Sequence, residues 1–144
     1  MSDFRRPRTL YDVSVNVRLE LQSFDARLRE FLDHLYANPG RRMAAVQREP
    51  LRLDDLPDAY WAATAEHLAR CHDLPIPDWT DVHGRSLVRP YVAGGLESLK
   101  PLLTVESPLA FRRRMLFVSK DALFRPRMGA ETSSQRDCAQ SVQA

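Results

Sequence analysis

His67 and Cys71 in "EHLARCH" stand four residues apart, a spacing that lets two side chains grip one metal ion from a single helix face. Zinc would need two further ligands, and His72, His83 and His34 are the available imidazoles. No CxxC or HExxH run accompanies them, so the residues do not spell a metal site. In the competing view Cys71 is a small core residue and His67 a half-buried one. A Cys–His nucleophile has no better support, since no second motif brings a histidine to the sulfur. Gly94-Gly95 could present backbone N–H groups to an anion, but the rest of a phosphate loop is missing and a turn suffices. Asp54-Asp55 has the look of a helix cap rather than an acid–base pair. No catalytic, cofactor-binding or metal-binding residue is assigned from these patterns.

The other chemistry-bearing stretch is "SPLAFRRRMLFVS", with Arg112, Arg113 and Arg114 in an apolar setting. Read as a helix, three successive residues fan across roughly 200°, so they cannot all line one groove. Joined by Lys120, Arg125 and Arg127, they give Phe111 to Arg127 six basic residues against one acidic residue. Upstream, Glu49 to Asp81 holds eight acidic residues against two arginines. The overall charge of +2 hides this segregation. The two regions either attract each other within the fold, decorate solvated faces, or face a partner.

The elements that must position these groups read as helices. Val17, Leu21, Phe24, Leu28, Phe31 and Leu35 follow a 4, 3, 4, 3, 4 spacing, which predicts one long helix stopped by Asn38-Pro39-Gly40. The alternation in "YDVSVNVRL" leaves open a strand at its start. A short helix is expected over 41–48, and another from Asp55, with Pro57 and Asp58 in its first turn. Residues 73–95, rich in Pro and Gly, are expected to fold back irregularly over the core. Leu96, Leu99, Leu102 and Leu103 suggest a further helix that Pro101 bends. Ser107 as N-cap and Pro108 as first residue predict a helix carrying the arginines. Ser119 could cap a last turn through Phe124. Trp61 and Trp79 are expected in the core.

These readings give an all-α fold, a compact orthogonal bundle of about five helices with the Pro/Gly-rich segment packed on it. Residues 1–9 form a flexible basic N-terminus, 10–126 a single helical domain and 127–144 a disordered polar tail. At 144 residues and 44% hydrophobic content the chain can bury a core without staples. Two cysteines allow one disulfide and imply no framework. No apolar run reaches the roughly 18 residues of a membrane span, and "MSDFRRPRTL" lacks a signal peptide's apolar centre. The expected location is the cytoplasm.

The segments "YWAATAEHLARCHDLPIPDW" and "GGLESLKPLLTVESPLAFRRRMLFVSKDAL" resemble a set of small actinobacterial helical proteins. In that set "EHLA…H…PxPxW" precedes "ESPxAFRRRxxFVSxxAL". The resemblance spans about residues 53–126. Relatives are similar to the C-terminal part of helix-turn-helix regulators or antitoxin-like proteins found beside toxin partners. It implies a non-enzymatic interaction protein that covers a partner, encoded by an adjacent gene, and it supplies no catalytic residue. Arg112, Arg113, Arg114, Phe117, Lys120 and Arg125 are the expected partner-binding residues. A DNA- or RNA-binding regulator using residues 5, 6, 8 and 111–127 is the alternative, although residues 1–52 show no DNA-binding helix pair. A small enzyme or metal protein using His67, Cys71 and His72 is the third reading.

Overall fold

The computed structural model describes residues 7–20, 24–82, 84–92, 100–119 and 123. The fold is all-α: six helices and a single two-residue strand pair make up the regular structure of these residues. Helix α1 spans Leu10–Glu20 and α2 spans Phe24–Ala37. The long rod expected over this stretch is therefore two helices. They pack on each other, so the apolar repeat lines an inward face shared by both. Leu10 and Val13 from α1 meet Leu28, Phe31, Leu32 and Leu35 from α2 in one core. The possible opening strand is helical, and Leu21 lies outside the described residues.

Helix α1 begins with a reciprocal cap. Thr9 Oγ1 accepts from Asp12 N at 3.1 Å, and an Asp12 oxygen accepts from Thr9 N at 3.2 Å. Pro7, within the stretch expected to fray, is buried.

Asn38-Pro39-Gly40 ends α2 as expected, and a 3-10 turn at Pro39–Arg41 leads into α3, Arg42–Gln47. Helix α4, Asp55–Cys71, is the centre of the molecule. Its N-cap is Asp54, one residue earlier than expected, with Oδ1 accepting from Asp55 N at 2.8 Å. Asp73, at φ 55, occupies the left-handed position that closes the helix, and Leu74 N donates back to Ala69 O at 2.8 Å. Small alanines at 59, 62, 63, 65 and 69, all buried, let neighbours approach α4 closely from several sides. Helix α3, a 3-10 turn at Asp78–Asp81 and helix α6 pack against it.

Beyond Pro90 the structure departs further from expectation. Strand β1, Tyr91–Val92, pairs in parallel with β2, Leu116–Phe117. Helix α5, Lys100–Glu106, holds Pro101 in its first turn, where proline is tolerated. Leu96 and Leu99 lie outside the described residues. Helix α6 is one turn only, Leu109–Arg112. Its N-cap is Pro108, not Ser107. Ser107 is fully buried instead: its Oγ accepts from Val118 N at 2.9 Å and lies in hydrogen-bond contact with Leu103 O. It ties the end of α5 to the residue that follows β2. Both tryptophans are in the core, and Trp79 Nε1 donates to Val46 O at 3.0 Å.

Candidate functional site

The arginine run is not a helical face. Arg112 ends α6, while Arg113 and Arg114 lie in the turn that follows. Met115, at φ 64, then takes the left-handed conformation and swings the chain into β2. Two hydrogen bonds brace that corner: Leu87 N to Arg114 O at 3.2 Å and Tyr91 N to Met115 O at 2.9 Å. The turn aims Arg114 at the core and Arg113 across the surface.

Arg114 is 1% exposed. Its Nη1 donates to Glu66 Oε1 at 2.6 Å and to Ala110 O at 2.8 Å, and its Nη2 to Thr80 O at 2.9 Å. The guanidinium of Arg114, one of the expected partner-contacting residues, is held below the surface by an internal carboxylate. Glu66 is buried in the C-terminal half of α4. Its second oxygen, Oε2, accepts from Arg70 Nε at 2.8 Å and from Arg113 Nη1 at 3.2 Å. Arg113 Nη2 reaches on to Asp81 Oδ1 at 2.8 Å. The acidic stretch 49–81 and the basic stretch that begins at Phe111 thus meet within the fold. Burial works to raise the Glu66 pKa, but hydrogen bonds from Arg114 and Arg70 outweigh it and hold the carboxyl below its ordinary value.

Arg112 and Phe117 are half-buried. Lys120 and Arg125 lie outside the described residues. Of the six expected partner residues, Arg113 and Arg114 meet on one feature, the Glu66 carboxylate.

A second buried arginine escaped the sequence reading. Arg85 is fully buried and follows Gly84, whose φ of 92 suits glycine. Its Nη2 donates to Glu49 Oε2 at 3.0 Å and Pro50 O at 2.9 Å, and its Nη1 stands 3.8 Å from Asp58 Oδ1. Asp58 Oδ1 also accepts from Leu53 N at 2.8 Å. The available signal was the carboxylates themselves: Asp58 and Glu66 sit in an Ala- and aromatic-rich helix, where a lone charge implies a buried partner.

The histidines do not assemble into a metal centre. His67 is buried beside Phe111, with ring centroids 6.2 Å apart, and its Nε2 lies 3.4 Å from Cys71 Sγ. Burial pushes its pKa down to about 4, so the ring is neutral near pH 7. Cys71 is disulfide-bonded, so it offers neither a zinc-binding thiolate nor a nucleophile; Cys138, the other cysteine, lies outside the described residues. His72 Nδ1 accepts from Arg42 Nη1 at 3.1 Å. Among the described residues no group of three or more His, Cys, Asp or Glu side chains is placed to hold a metal ion. His83, Gly94 and Gly95 lie outside them.

No helix among the described residues is long and apolar enough to cross a membrane. Large apolar side chains are nonetheless exposed at several places, Ile76, Val82 and Tyr91 among them. Helix α5 buries Leu103 but leaves Leu102 56% and Val105 74% exposed, and Val88, just before β1, is 95% exposed. No protein-family model, no curated protein and no solved structure matches this chain, so the function rests on the geometry of these features.

Proposed function

We propose that the protein is a non-enzymatic interaction module, the antitoxin-like or regulatory member of a two-protein system, which acts by covering a surface of its partner. The observation that carries this reading is the outer face of α5. Leu102 and Val105, three residues apart, lie on one side of the helix and remain in water, while Leu103 serves the core. Catalysis receives no comparable support: the convergent ionisable groups, Glu66 with its arginines and Arg85 with Glu49 and Asp58, are engaged with one another.

The partner this surface suits is a protein patch that is apolar at its centre. In this reading the protein acts in the cytoplasm, a compartment where the Cys71 disulfide is unusual. The "ESPLAFRRRMLFVSKDAL" resemblance points to the product of an adjacent reading frame as the first partner to try. Nucleic-acid binding through residues 111–127 is less well supported, because Arg114 is buried against Glu66.

The test is co-expression with neighbouring gene products and affinity capture on this protein. Wild-type protein should retain one of them, and replacing Leu102 and Val105 together by glutamate should release it. Retention of the partner by the doubly substituted protein would move the interface elsewhere; capture of no neighbouring product would remove the two-protein reading.

A further inference from the structure

Arg70 and Arg113 share one oxygen, Glu66 Oε2, at 2.8 and 3.2 Å. Two guanidiniums bound to the same atom stand side by side, and one carboxylate balances only one of their two charges. Their side chains are 35% and 42% exposed, so the pair opens onto solvent while Glu66 anchors it from beneath. The buried Arg114 Nη1 lies 2.6 Å from the other Glu66 oxygen, which makes three cations around one buried carboxylate.

Asp81 is the one further carboxylate that reaches this cluster among the described residues. Its Oδ1 lies 2.8 Å from Arg113 Nη2 and 3.6 Å from Arg114 Nη2, and its side chain is 63% exposed. An ion pair so exposed is weak and readily exchanged. With Asp81 in place, three guanidiniums face two carboxylates; with Asp81 turned aside, a net charge of two remains uncompensated. Donors are also to spare. Arg70 uses only Nε on Glu66, and its two Nη groups bond no other group among the described residues. Arg114 Nε is buried without a hydrogen-bond partner.

We propose that Arg70 and Arg113 form an oxyanion site for a phosphate monoester, and that Asp81 competes for Arg113 in the free protein. A phosphate monoester carries a charge near −2 at neutral pH and three acceptor oxygens, which matches the charge uncovered when Asp81 leaves. Arginine is suited to this by its planar array of donors, which can engage two oxygens at once. Asp81 ends the 3-10 turn Asp78–Asp81, so a rotation of its exposed side chain is enough to release Arg113. The proposal is independent of the partner surface on α5, and its test needs no partner protein.

The experiment is titration of the full chain with inorganic phosphate, followed by NMR at the arginine Nε–Hε resonances. Arg70 and Arg113 should shift first. Asp81→Asn should tighten binding about fivefold, the size of one exposed ion pair removed as competitor. Arg113→Gln and Arg70→Gln, both at exposed positions, should each weaken binding at least as much while the circular dichroism spectrum stays unchanged. Adenosine monophosphate and O-phosphoserine then separate a nucleotide source from a phosphorylated side chain, whichever binds more tightly. Equal phosphate affinity in wild type and Asp81→Asn, or shifts spread over remote arginines such as Arg8 and Arg41, would overturn the proposal.

Discussion

Two arginines are buried equally deeply at the two ends of α4, and their partners are not alike. Arg114, 1% exposed, meets a carboxylate that is also 1% exposed. Arg85, fully buried, meets Glu49, which is 44% exposed, and has Asp58 only at 3.8 Å. At the Glu66 end both charges are cut off from water, so each depends on the other. At the Arg85 end the carboxylate can still be solvated if the pair opens. The lesson is that burial of the cation alone does not set the strength of such a latch; burial of the anion does.

The largest expected effect follows from this contrast. Glu66→Gln leaves Arg114 buried without its counter-charge and should destabilise the fold by about 3–5 kcal/mol, measured by urea unfolding. Adding Arg114→Met to that variant should recover part of the loss, since no stranded charge then remains. If the double variant is no more stable than Glu66→Gln alone, the two residues are not coupled as the geometry indicates.

Acid sharpens the comparison, because His67 lies at the Glu66 end. Its pKa is 6.5 when unfolded and about 4 when folded. Between those values the unfolded chain holds a proton that the folded chain lacks, so stability falls as pH drops from 6.5 towards 4, by about 3 kcal/mol in all. His67→Gln should remove that slope. Glu66, held below its ordinary value, contributes stability that is present above its unfolded pKa and disappears at still lower pH. A stability profile that stays flat from pH 7 to 4 would contradict the burial of His67.

Arg85→Met should cost less, about 1–3 kcal/mol in thermal or urea unfolding, since Asp58 keeps its bond from Leu53 N and Glu49 turns to water. Glu49→Gln should change stability by no more than about 1 kcal/mol. An effect of Glu49→Gln as large as that of Glu66→Gln would erase the distinction between the two ends.

Several of these features were legible in the residues and others were not. Helix α4 was visible from Asp54-Asp55, Pro57 and the alanine-rich run, because capping and small-residue packing act over a few neighbouring positions. The opposition of an acidic stretch and a basic one was also plain. That the two meet at Glu66 was not, since the pairing joins residues 48 positions apart. The rod expected from Val17 to Leu35 shows the converse failure. A regular apolar period describes which face is buried, and two helices folded against each other satisfy it as well as one straight helix does. The arginine run failed for a local reason. Ser107-Pro108 correctly predicts a helix start near Leu109, but the stop after one turn depends on Met115 being held at φ 64 by bonds from Leu87 and Tyr91.

The sequence by itself determined that the chain is helical, where α3 and α4 begin, and that its charges are segregated into opposed blocks. Those are consequences of backbone propensity, capping and composition, all written within a few residues of where they act. Only the tertiary structure decided that Arg114 and Arg85 point inward, that Arg70 and Arg113 stand together at the surface, and that Leu102 and Val105 are left in water. Each of those outcomes depends on which distant segment arrives beside α4 and α5, and a buried charge or an uncovered apolar face exists only once those neighbours are in place.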